Sequence, residues 1–271
     1  MKTNANLPPR LLQGRVAVVT GSTAGLGRGI SLALARAGAN VVVNGRDPER
    51  GTAVMADLSR IGAAAILVTG DVGEAAVAPR LIAEAVAHFG RLDILVNNAQ
   101  ARVPYAPLEN TDISARFTTM LYSGLYGSLW TAQAALPYLR ASGQGRIVNF
   151  GSLNGVSGAR YAGPYNVTKS AIEALTRTMA NEWGRFGITA NAVLPSGLSE
   201  SYARFFADDP ARGERAARGN PMRRHGDPER DIGAAVVGLA SEAAAYITGQ
   251  SLFVDGGQSV LGMPQFHQLG D

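Results

Sequence analysis

Seven short apolar runs recur along the chain with helix-length stretches between them, and this alternation leaves few folds open. The runs are VAVVT (16–20), VVVNG (41–45), AAILVTGD ending at Asp71, LDILVNNA ending at Ala99, GRIVNFGS ending at Ser152, GITANAVLP ending at Pro195 and QSLFVDGG ending at Gly257. Their β-branched content marks them as buried strands. Between them the periodicity predicts helices ending at Gly38, over Pro48 to Arg60, over 74–89, over a long stretch of roughly 112–141, from near Pro164 to about Phe186, and near 228–241. Alternation at this spacing predicts an α/β fold, a doubly wound parallel sheet of about seven strands with helices on both faces. Residues just after the strands, Gly21, Asp71, Asn97, Ser152 and Pro195, then gather at one sheet edge, where such folds bind ligands.

No internal linker or repeat interrupts the 271 residues. They read as a tail (1–11), one domain (12–258) and a C-terminal tail (259–271). Within the domain, 196–227 carries Arg, Asp and Pro with little strand pattern. It is expected to form a substrate lid, with Ser196, Tyr202, Phe205 and Phe206 as apolar cover with polar handles.

Composition excludes several functions. With no cysteine there is no disulfide, thiolate metal site or thiol nucleophile. That fits a reducing compartment, and a cytoplasmic location is expected. The start, MKTNANLPPRLLQGR, lacks the apolar core of a signal peptide, and no run of 18 apolar residues predicts a membrane span. The net charge of +4 raises the question of nucleic acid. The densest basic group (Arg212, Arg215, Arg218, Arg223, Arg224) is too diffuse for a dedicated arm, so no nucleic-acid partner is expected. His88, His225 and His267 are isolated, and no metal site is expected.

Two motifs carry chemistry. T-G-x-x-x-G-x-G over Thr20 to Gly27 follows a strand and opens a helix. Glycines there permit a tight turn and let the backbone approach a pyrophosphate, which a helix N-terminus attracts. The same pattern also serves a βα turn that binds nothing. The second motif is Ser152, Tyr165 and Lys169, where four residues bring phenol and ammonium to one helix face. A phenol of pKa ~10 is a poor base at neutral pH, but a nearby ammonium and a serine hydroxyl can change that. Of the 25 basic residues only Lys2 and Lys169 are lysine. Taken alone, Y-x-x-x-K is also an ordinary amphipathic helix.

Together TGSTAGLG, Asp71-Val72, NNA at 97–99, Ser152, YNVTK and YITGQSLFVDGG resemble the short-chain dehydrogenase/reductase family, in its order and spacing, over about residues 12–258. The resemblance implies a seven-stranded Rossmann-like domain that binds NAD(H) or NADP(H) and interconverts a secondary alcohol and a ketone. By that likeness Tyr165 is the acid/base, Ser152 polarises the substrate oxygen, and Lys169 lowers the tyrosine pKa and grips the nicotinamide ribose. Gly21, Thr23, Gly25, Leu26 and Gly27 would cradle the pyrophosphate, Asp71 and Val72 would meet the adenine, and Asn98 and Ala99 would line the cofactor. Pro195 to Leu198 would pass the carboxamide. Relatives assemble as homodimers or homotetramers through the 112–141 and Tyr/Lys helices, and the same is implied here.

An acid at the end of the second strand would select NAD(H). That position is Gly45, followed by Arg46, which favours NADP(H) because guanidinium pairs with phosphate. Asp47 could swing onto a ribose hydroxyl instead, which keeps NAD(H) open. Three positions depart from the family pattern: Gln100 replaces the glycine after NNA, Ser196 the glycine after Pro195, and Gly124 the helix asparagine that completes the family's catalytic tetrad. Glycine costs up to ~1 kcal/mol inside a helix, so the helix near Tyr122 to Gly127 is expected to be distorted, with backbone carbonyls and a water taking over the asparagine's relay. A nucleotide-binding regulator that kept the fold and lost turnover is the rival reading.

Overall fold

A computed structural model describes residues 11–198, 207 and 209–261. Seven parallel strands form one sheet: β1 (Val16–Val19), β2 (Asn40–Gly45), β3 (Ala65–Thr69), β4 (Ile94–Asn97), β5 (Arg146–Phe150), β6 (Thr189–Pro195) and β7 (Ser251–Val254). Their order is β3-β2-β1-β4-β5-β6-β7. The chain therefore reverses its winding between β1 and β4, which opens a crevice at their carboxyl ends.

Both faces of the sheet are buried, because successive residues of a strand point to opposite sides. Ala17 and Val19 pack with Val41, Val43 and Ile94 beneath α1 (Gly25–Arg36) and α2 (Pro48–Arg60). Val16 and Val18 pack with Val42 and Leu95 on the other face, beneath α3 (Val77–Phe89). The central strand β1 is apolar at every position because both of its faces are covered by helices.

Local chemistry sets the helix ends. Asp47 caps α2, its carboxylate accepting from the N–H groups of Glu49 and Arg50 at 3.0 and 3.1 Å. Gly90 ends α3 at φ +74°, a conformation that glycine adopts without penalty.

The stretch predicted as one helix over 112–141 is instead a series. A π-turn at Ile113–Phe117 leads into α4 (Thr118–Leu121), then a second π-turn at Tyr122–Tyr126, then α5 (Gly127–Ala141). The distortion expected near Tyr122 to Gly127 is thus present. Ser123 Oγ donates to the Thr119 carbonyl at 2.8 Å and Ser128 Oγ to the Gly124 carbonyl at 2.6 Å. Such back-bonding competes with the backbone ladder and bends helices.

The chain continues through α6 (Leu153–Ser157) and α7 (Gly163–Trp183). Within 196–227 the described part contains α8 (Pro210–Gly219), a helix carrying Arg215 and Arg218, and a bridge between Gly197 and Gly226. Tyr202, Phe205 and Phe206 lie outside the described residues. The helix expected near 228–241 is a π-turn, Pro228–Gly233, running into α9 (Ala234–Ala240). No helix among the described residues is long and apolar enough to cross a membrane.

Candidate active site

The crevice beside β1 and β4 is a cleft of about 670 Å³, lined at one end by the glycine-rich turn and at the other by Tyr165 and Lys169. Gly21 and Gly25 sit at φ +61° and +52°. A Cβ on Gly27 would lie 2.3 Å from the Gly21 carbonyl oxygen, and one on Gly21 would lie 2.8 Å from Ala99 Cα. Only glycine fits this turn, which leaves backbone facing the cleft at the N-terminus of α1, as an anion-binding cradle requires. Asn98 holds the turn from below: its Nδ2 donates to the carbonyls of Thr20 and Gly21 at 3.0 and 2.9 Å. Thr20 Oγ1 accepts from the backbone N–H of Asn98 and of Ala99.

At the end of β2, a Cβ on Gly45 would lie 2.5 Å from Thr23 Cγ2 and 2.6 Å from its Oγ1. An acid at 45 would thus require Thr23 to move. The Arg46 side chain is 70% exposed and rests 3.4 Å from Asp71. Asp47 is occupied as the α2 cap and pairs with Arg50 Nε at 3.3 Å. Asp71, Val72, Asn98, Ala99 and Pro195 all line the cleft, with Thr23, Leu26 and Arg46. Leu198 does not. Its N–H is taken by the Gly226 carbonyl at 2.9 Å and its side chain faces outward, 41% exposed.

At the other end, Pro164 starts α7 in its first turn, and Tyr165 and Lys169 follow on one face. Lys169 is buried and its Nζ donates to the Phe150 carbonyl at 2.8 Å, lying 5.6 Å from the Tyr165 ring centre. Burial pulls the Lys169 ammonium down to about 7, against an upward pull from Glu173. Burial also raises the Tyr165 phenol. A hydrogen bond from Ser152 opposes that rise and Tyr105 adds to it. Burial is the largest of these effects, and the Lys169 ammonium is engaged by the Phe150 carbonyl.

Gly124 was expected to leave room for a water. It does not, because a Cβ there would lie 2.3 Å from Gln100 Oε1 and 2.7 Å from Thr168 Cγ2. The two departures from the family pattern, 24 residues apart, meet in one place.

A family model described as enoyl-(acyl carrier protein) reductase matches residues 21–259, nearly the whole chain. The chain belongs to the short-chain dehydrogenase/reductase family. This short-chain dehydrogenase/reductase is 35% identical over 254 residues to a 12alpha-hydroxysteroid dehydrogenase of a Clostridium species, covering 91% of this chain and 97% of that one. It is 36% identical over 263 residues to the L-fucose dehydrogenase of Oryctolagus cuniculus, covering 95% and 90%. A crystal structure of a gluconate 5-dehydrogenase from Burkholderia cenocepacia, in complex with NADP and tartrate, superimposes with a TM-score of 0.84 at 34% identity, covering 93% of this chain and 98% of that one. The protein is an NAD(P)-dependent oxidoreductase acting on CH–OH and C=O groups. The regulator reading is not favoured.

The structure of this dehydrogenase/reductase adds residues that sequence reasoning missed. Arg50 and Arg102 line the cleft. Arg50 lies in the first turn of α2, four residues after Arg46 and just past the Asp47 cap. Tyr105 reaches Tyr165 through an irregular loop that carries no periodic signal. Ala106 N–H donates to the Tyr161 carbonyl at 3.0 Å and so ties that loop to the turn before Tyr165. Tyr161 itself stands at φ +66°, a conformation costing a non-glycine residue of order 1–3 kcal/mol and typical of functional sites. Behind the cleft, Thr131, Asn97, Asn149 and Thr176 form a buried chain of side-chain hydrogen bonds of 2.7, 2.9 and 2.9 Å, joining α5, β4, β5 and α7.

Proposed function

We propose that this enzyme interconverts a secondary alcohol and a ketone on a small molecule, with NADP(H) preferred over NAD(H) and Tyr165 as the acid/base. One observation carries the reading: a phenol hydrogen-bonded by Ser152 stands one turn from a buried lysine, at the end of a cleft whose other end is a glycine cradle. The residues present fit a dinucleotide, since the close approaches at Gly21 and Gly27 leave backbone where a pyrophosphate would lie. When bound, the nicotinamide supplies or accepts the hydride. The raised phenol remains protonated through neutral pH and can donate to a developing alkoxide. Ser152 holds the substrate oxygen at Tyr165, and Lys169 orients the ribose and supports the phenolate left behind.

NADP(H) is favoured by Arg46, by the absence of any acid at Gly45, and by the commitment of Asp47 to capping α2. Arg50 stands close enough to the same end of the cleft to add a second guanidinium. The NADP-bound gluconate 5-dehydrogenase is consistent with that choice.

Assembly as a homodimer or homotetramer through the α4–α5 stretch and α7 is part of the proposal. It is supported by the exposed Tyr122 and Tyr126, which line one stripe with Trp130, Tyr126 stacked on the indole and Tyr122 edge-on to both rings. We also assign the protein to the cytoplasm, which its lack of cysteine suits.

The test is a fluorescence titration with NADPH and NADH, followed by a panel of ketones, sugars and steroids assayed for cofactor consumption. Turnover of at least one carbonyl compound with NADPH is expected. Cofactor binding with no turnover on any of them would return the regulator reading.

A further inference from the structure

We infer that Glu173 is a positioning residue for the reaction: from one turn further along α7, behind the cleft, its buried carboxylate keeps Lys169 a charged ammonium. The inference rests on the dehydrogenase reading for its meaning, whereas the placement belongs to this chain.

Lys169 and Glu173 are four residues apart on α7, so they adjoin on one helix face. Both are buried, at 3% and 8% exposure. Lys169 lines the cleft and Glu173 does not. The Glu173 stem packs instead against the loop after β5, where a Cβ on Gly151 would lie 3.2 Å from Glu173 Cγ. Gly151 stands between Phe150, whose carbonyl accepts from Lys169 Nζ, and Ser152. The acid is therefore seated on the same stretch that holds the ammonium and carries the serine. From β7, Ser251 Oγ donates to its Oε2 at 2.9 Å.

As a packing group this carboxylate is a poor choice. Its Oε1 is buried and has no hydrogen-bond partner. A buried charge is costly unless another compensates it, and a leucine or methionine would fill the contact between helix and sheet at less cost. Lys169 compensates it, and the benefit is mutual. Burial pulls the ammonium down to about 7, and Glu173 opposes that pull. Phe150 takes one of the three donors of Nζ, while Glu173 acts by charge and takes none. The remaining donors are left for the cleft.

The other elements around Lys169 do not supply this charge. α4, α6, β6 and β7 carry no ionisable side chain. Arg146 stands at the opposite end of β5, and Arg185 lies beyond the far end of α7. The π-turns packed on α7 bring Arg116, Tyr122 and Tyr126, and the loop after β4 brings Arg102 and Tyr105. Tyr165, one turn before Lys169, is the group on which Tyr105 acts. Burial and Glu173 are what move Lys169.

Lys2 and Lys169 are the only lysines, so protein labelled with ¹³C-lysine gives two side-chain signals, which Lys169→Met assigns. The experiment follows the Lys169 titration by NMR in full-length protein for wild type, Glu173→Gln and Glu173→Asp, with thermal melts and kcat/KM alongside. Glu173→Gln keeps the shape, can still accept from Ser251 Oγ and removes the charge. It is expected to move the Lys169 midpoint down by about half a unit or more. Its kcat/KM with NADPH should be little changed at pH 6 and about threefold lower or more at pH 8, the factor such a shift implies. Glu173→Asp, which keeps the charge, should stay close to wild type in both readouts. If Glu173→Gln melts below the assay temperature, Glu173→Met takes its place with the same expectations. An unchanged midpoint in the charge-free variant would overturn the proposal. So would a loss of kcat/KM equal at the two pH values, which lost packing alone would give, or a Glu173→Asp shifted as far as Glu173→Gln. The titration needs no turnover, so a wild type inactive on every carbonyl, with the midpoint still shifted in Glu173→Gln, would defeat the dehydrogenase reading while upholding the control of Lys169 by Glu173.

Discussion

Lys169 Nζ donates to the Phe150 carbonyl at 2.8 Å, which ties the middle of the active-site face of α7 to the last residue of β5, two residues before Ser152. That bond fixes the distance between the serine loop and the tyrosine helix, and it engages the ammonium before any ligand arrives.

Replacing this lysine is expected to weaken NADPH binding and to lower kcat, since one ammonium orients the ribose and supports the phenolate. Lys169→Met should show both effects, by about tenfold or more in each. Normal cofactor affinity in the variant would remove the ribose role.

The same residue predicts a pH dependence of stability. Its folded pKa of about 7 lies below the unfolded value near 10.5, so between those limits the unfolded chain binds more protons and stability rises with pH. The penalty of burying the charge is in full force below pH 7 and fades above it. Wild type should therefore gain more in Tm between pH 7 and pH 9 than Lys169→Met does, by several degrees, given ~2–4 °C per kcal/mol for a domain approaching this size. Parallel pH–Tm curves for the two proteins would contradict the depressed value.

Cofactor choice is read out by kcat/KM with the two cofactors. NADPH should exceed NADH, and Arg46→Ala should raise KM for NADPH about tenfold while leaving NADH nearly unchanged. A wild type that prefers NADH would refute the reading of Arg46.

Asn98→Ala removes both hydrogen bonds that hold the glycine turn. Each is worth roughly 0.5–1.5 kcal/mol net, and the stranded Thr20 and Gly21 carbonyls add to the loss. The variant should melt several degrees lower and bind NADPH and NADH more weakly by the same factor. A selective loss of one cofactor would mean that Asn98 contacts the ligand in a way the turn does not explain.

Much of this was legible in the chain because the signals are local. β1 and β2 read as strands because every residue of VAVV and nearly all of NVVVNG is buried. The glycines of the first turn announced themselves because backbone meets backbone there. The helix glycine Gly124 announced the distortion at 122–126, whereas the π-turn at 113–117 carried no such mark; threonine hydroxyls there bond back to Ile113 and Ala115. Gln100 and Gly124 read as two unrelated departures, and only the approach of a loop to a helix makes them one feature. No sequence pattern reports how deeply a ring is desolvated, so the burial that raises the Tyr165 phenol was not legible.

The most direct test of the whole account is kcat for Tyr165→Phe with NADPH and the best carbonyl substrate, measured beside the Kd for NADPH. The ring is retained and only the proton donor is removed, so kcat should fall by ~10²–10⁴-fold while Kd stays within about twofold. A variant retaining a tenth or more of the wild-type kcat would show that Tyr165 is not the acid/base.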